Sequence, residues 1–99
     1  MITNQQIKRI ESIVKDYILN NYSNYGLNDL TSDEIEHVIF IGANILANKW
    51  GIDTNPDGFV KAFLNNDLLE TFSRADQINL KMIHFYLVLS YNVGKPVNL

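Results

Sequence analysis

The residues able to do chemistry in this chain are few, and the sharpest group is Asp53-Thr54-Asn55-Pro56-Asp57-Gly58. It matches the opening D-x-N-x-D-G of a calcium-binding loop, with Asp53, Asn55 and Asp57 as ligands and Val60 at the apolar eighth position. The match stops where affinity is made. The twelfth position is Leu64, which has no carboxylate to close the coordination sphere, and the ninth is Lys61, a cation aimed near the site. The same residues also read as a helix start, with Asn55 as cap, Pro56 at the first helical position and Asp57 complementing the dipole. That start puts Gly58 inside the first helical turn, whereas a calcium loop needs it at positive φ. The two readings exclude each other, and the helix start is preferred.

Glu34 and His37 have the Glu-x-x-His spacing that puts a carboxylate and an imidazole on one helical face, as metal-binding bundles require. Such a site needs a second pair, and His84 has no Glu three residues before it. The plainer reading is that Glu34 completes a helix cap and His37 lies on a solvated face. His84, on the most apolar stretch, reads as an interior or interface histidine. With no Cys, two His and five isolated Gly, the chain has neither a nucleophile beside an oriented base nor a phosphate-cradling loop. We therefore expect no enzyme activity and no cofactor. The remaining candidates are aromatic: Tyr22 and Tyr25 in a polar loop, with Tyr91 near the end of the last helix, suit a protein-contact surface because such rings bury large area and keep a polar handle.

The elements that would position these groups are announced by their caps. Thr3 with Gln6 and Thr31 with Glu34 have capping-box spacing, and Ile2 with Ile7 and Leu30 with Ile35 have the spacing of a hydrophobic staple. Ser73-Arg74-Ala75-Asp76 reads as a further start. The spacing of apolar residues predicts helices over about 4–20, 32–50, 56–65, 67–72 and 74–92, with a tail over 94–99. Gly51 is the expected left-handed stop of the second helix, and Gly42 and Ala43 within it predict a close helix crossing. The last helix carries apolar residues in nearly every direction, which predicts burial on all sides. So few residues cannot enclose it alone, and a homodimer is expected.

The fold class that follows is all-α: one domain, an irregular bundle of four or five helices around a buried C-terminal helix. At 99 residues a single core is possible, and 46% hydrophobic residues must be buried efficiently to offset the ordering of the chain. The net charge of −3, from scattered residues, argues against a nucleic-acid or anionic-membrane partner. No apolar stretch approaches the length of a membrane span, residues 1–6 lack the basic and apolar pattern expected of a signal peptide, and absence of Cys fits a reducing compartment, so the cytoplasm is the expected setting. Abundant Asn and Ile, whose codons are rich in A and T, suggest a low-GC genome such as that of a phage or mobile element. The expected function is a non-enzymatic protein-binding domain, an adaptor or inhibitor of a larger protein. The alternative is a cation-dependent or DNA-associated regulator built on Asp53–Gly58.

Overall fold

Thr3 and Thr31 do what their spacing predicts. The Thr3 hydroxyl accepts from Gln6 N at 3.1 Å while Gln6 Oε1 accepts from Thr3 N at 3.0 Å, and Thr31 and Glu34 repeat the exchange at 3.2 and 2.8 Å. Each box satisfies two backbone donors that have no partner within the helix. In the computed structural model, which describes residues 2–99, these caps open α1 (Asn4–Asn20) and α2 (Ser32–Lys49). The chain between them turns through Tyr25 and Gly26, both at positive φ, into a single 3-10 turn, Leu27–Asp29, that drives Leu27 into the core. Beyond α2, Gly51 at φ 85° lets Ile52 N donate to Ala47 O and Gly51 N to Asn48 O, a Schellman stop.

Four shorter helices complete the chain: α3 (Gly58–Leu64), α4 (Leu68–Arg74), α5 (Gln77–Lys81) and α6 (Ile83–Asn92). The described residues contain no strand, so the all-α irregular bundle stands as expected, with six helices in place of four or five. The increase comes from the C-terminal segment. Asp76, not Ser73, is the cap, its Oδ1 accepting from Asn79 N at 2.7 Å, and Ser73 and Arg74 close α4. The helix expected over 74–92 is then broken at Met82, whose N–H donates to both Ile78 and Asn79 carbonyls in a tightened turn.

The centre of the fold also differs from the expectation. Seven consecutive residues of α2, Ile41–Ala47, are buried, and α2 packs against α1, α3, α5 and α6. It is the enclosed helix. The α6 helix buries Phe85, Tyr86, Leu89 and Ser90 on one side and leaves His84, Leu87 and Tyr91 open on the other. The physical reason is that α3 and α4 pack chiefly on each other, so they wall one flank of α6 without closing over it. Asn44 of α2 is likewise buried, its Nδ2 donating to Phe40 O at 2.8 Å.

The predicted close crossing is present. A Cβ on Gly42 would meet Leu89 Cδ2 at 3.0 Å and Val14 Cγ1 at 3.1 Å, so the absence of a side chain lets α1 and α6 seat against one turn of α2. Ile10, Val14 and Ile18, spaced four apart, fill the α1 side of this core.

Candidate functional site

The Asp53–Gly58 segment is a connector built by hydrogen bonds to α2. Asn48 Nδ2 donates to Thr54 Oγ1 at 2.7 Å, and Thr54 Oγ1 donates to Asn44 Oδ1 at 2.5 Å, which pins residue 54 to the helix surface. The chain then reverses through Asn55 at φ 54°, with Asn55 N donating to Asp53 Oδ1 at 2.8 Å. Asp57, not Asn55, caps the next helix, its Oδ1 accepting from Val60 N at 3.0 Å, and Pro56 stands before that helix and not within it. Gly58 is the first helical residue, and the positive φ that a calcium loop needs falls on Asn55. Asp53 and Asp57 are thus both held by backbone N–H groups, and the geometry is that of a turn followed by a cap.

His37 is half-buried and not on a solvated face. Its Nε2 lies 3.0 Å from Asp76 Oδ2, at ion-pair distance although its N–H is not aligned for a hydrogen bond, while Glu34 faces away to cap α2. Asp76 therefore touches α2 with one oxygen and starts α5 with the other. Three residues after Asp76, the buried Asn79 accepts at Oδ1 from Tyr86 OH at 2.8 Å. Burial, reinforced by the charges of Asp76 and Asp57, holds the Tyr86 phenol far above its ordinary value of 10.0. Among the described residues no three His, Asp or Glu side chains converge as a metal site would require. His84 is exposed, with the Tyr25 ring edge-on to it at 5.1 Å.

The surface that stands out is apolar. Along α5 and α6, Leu80, His84, Leu87 and Tyr91 recur at helical spacing and form one exposed stripe, with Leu80 48%, Leu87 43% and Tyr91 85% open. Opposite, α4 presents Leu68, Leu69 and Phe72, open by 68%, 82% and 49%. Between the two walls runs a groove. A cavity of about 160 Å³ is lined by Phe63, Leu68, Thr71, Phe72, Ile83 and Leu87, and Leu87 joins it to a second of about 290 Å³ that reaches Lys49, Ser90 and Tyr91. At its far end the Lys49 ammonium donates to Ser90 O and lies 6.0 Å from the Tyr91 ring centroid.

Comparison with family models, curated proteins and solved structures finds no match to this chain. The site must be read from its own residues. Of the three tyrosines expected to meet a partner, Tyr91 lies on the apolar stripe and Tyr25 borders it through His84, half-buried against Phe85. Tyr22 is exposed in the loop. The expectation that the last helix is buried on all sides covered Leu80 and Leu87, and the sequence reading assigned no face to Leu68, Leu69 and Phe72, so the groove was missed.

Proposed function

We propose that the protein is a small non-enzymatic protein-binding domain, an adaptor or inhibitor, whose contact surface is the open side of α4 and α6. The observation that carries this reading is the groove itself. Apolar side chains stand open on both of its walls, and contiguous exposed apolar surface of this kind marks protein recognition. Tyr91 supplies the amphipathic aromatic ring that such surfaces favour, and Tyr25 and Tyr22 extend it towards the loop. The carboxylates nearest to chemistry also support a non-catalytic reading: Glu34, Asp53, Asp57 and Asp76 each accept a backbone hydrogen bond that forms a cap or a turn. No helix of the described residues is long and apolar enough to cross a membrane. The lack of Cys suits the cytoplasm as the working setting.

Affinity capture from host cells tests the reading with two baits, the wild-type chain and a Leu69→Glu/Leu87→Glu variant. A protein held by the wild type and lost with the variant supports it. Identical retained sets overturn it, because the groove would then contribute nothing to binding.

A further inference from the structure

The groove contains both parts of a self-complementary joint. It offers knobs, since Leu69 on α4 and Tyr91 on α6 are each more than four-fifths exposed, and it offers a hole, the cavity of about 160 Å³ floored by Phe63, Ile83 and Leu87. An apolar cavity of that size admits a benzene-sized group. A two-fold axis needs knob and hole on the same patch, so that each copy fills the other. The area agrees. Six large side chains, Leu68, Leu69, Phe72, Leu80, Leu87 and Tyr91, are between 43% and 85% open. At roughly 200 Å² apiece when fully exposed they offer about 750 Å², close to the about 800 Å² per partner of a standard stable interface. These six side chains carry no formal charge, so a second copy meets them without facing its own like charges at the centre.

We infer that the occupant of this groove is a second copy of the same chain, packed isologously so that α4 and α6 of one protomer close over α4 and α6 of the other. The inference rests on the protein-recognition reading of this face and names its partner. It also gives the C-terminal helix the cover on its open side that its apolar residues demand.

The test is the mass of the purified full chain by light scattering or sedimentation across about 1–200 µM, together with the dependence of its melting temperature on concentration. The wild type is expected at twice 11.4 kDa, with a melting temperature that rises with concentration. Leu69→Glu and Tyr91→Glu, at positions too exposed to disturb folding, are expected to be monomers with concentration-independent melting. Phe40→Glu, at an apolar position 54% exposed on α2 and outside the groove, is expected to stay dimeric. A wild-type chain that is monomeric throughout overturns the inference, and so does a dimer that survives both groove variants. If the purified chain is a monomer while host-cell capture still depends on Leu69 and Leu87, a different protein occupies the groove; the second-copy assignment falls and the recognition reading stands.

Discussion

Tyr86 and Asn79 are joined by a hydrogen bond of 2.8 Å from the phenol to the amide oxygen, both residues being buried, and this bond spans the break at Met82. It ties α6 back onto α5 where the backbone ladder is interrupted. Tyr86→Phe keeps the ring, which packs against Phe59, Phe63 and Phe85, but leaves Asn79 Oδ1 buried without that donor. The expected cost is about 1–2 kcal/mol, read as a lower urea midpoint at unchanged slope. A Tyr86→Phe chain as stable as the wild type would show that the bond contributes nothing net.

The same phenol sets an alkaline limit. Its folded value lies above the ordinary 10.0, chiefly through burial, so above pH 10 the folded state holds a proton that the unfolded state releases. Stability from this group is complete below pH 10 and falls as pH rises further, by about 1.4 kcal/mol per pH unit until the folded phenol ionises. Unfolding measured between pH 8 and 11.5 should show this slope in the wild type relative to Tyr86→Phe. Parallel curves for the two would mean that Tyr86 titrates alike in both states.

Gly42 is where three helices converge, and its substitution tests the crossing. Ala would gain about 1 kcal/mol of helix propensity but would press on Leu89 and Val14 at 3.0–3.1 Å. Gly42→Ala is expected to lower stability by about 1 kcal/mol net, and Gly42→Val by about 3 kcal/mol or more. Denaturant unfolding of the pair decides this, and a stabilised Ala variant would show that α1 and α6 can retreat.

Asp57 and Asp53 look equivalent in sequence and differ in place. Asp57 caps α3, so Asp57→Ala should cost about 1 kcal/mol, whereas Asp53, which only accepts from Asn55 N in an exposed turn, should change stability by less than about 0.5 kcal/mol on conversion to Ala. Calcium at millimolar concentration should leave the melting temperature of the wild type unchanged. A rise would restore the cation reading of this loop, because a ligand bound only to the folded state must stabilise it.

Local features were legible where both partners of an interaction lie within one helical turn. The boxes at Thr3–Gln6 and Thr31–Glu34, the stripe Ile10–Val14–Ile18 and the stop at Gly51 depend on neighbours a few residues apart, so their geometry follows from spacing. The cap of α3 was misread because its choice is not local. Thr54 is fastened to Asn44 and Asn48 on α2, the turn then falls at Asn55, and the next oxygen in position is that of Asp57. Asp76 prevailed over Ser73 in similar circumstances, with His37 of α2 standing beside its second oxygen.

By itself the sequence determined that the chain is helical, where its two long helices begin and that Gly42 marks a close approach, since these follow from backbone capping and from side-chain periodicity. Only the tertiary structure decided which helix is enclosed and which keeps an open side. Apolar periodicity records that a residue needs cover but not what supplies it. Once α3 and α4 pair with each other, one side of α6 stays open.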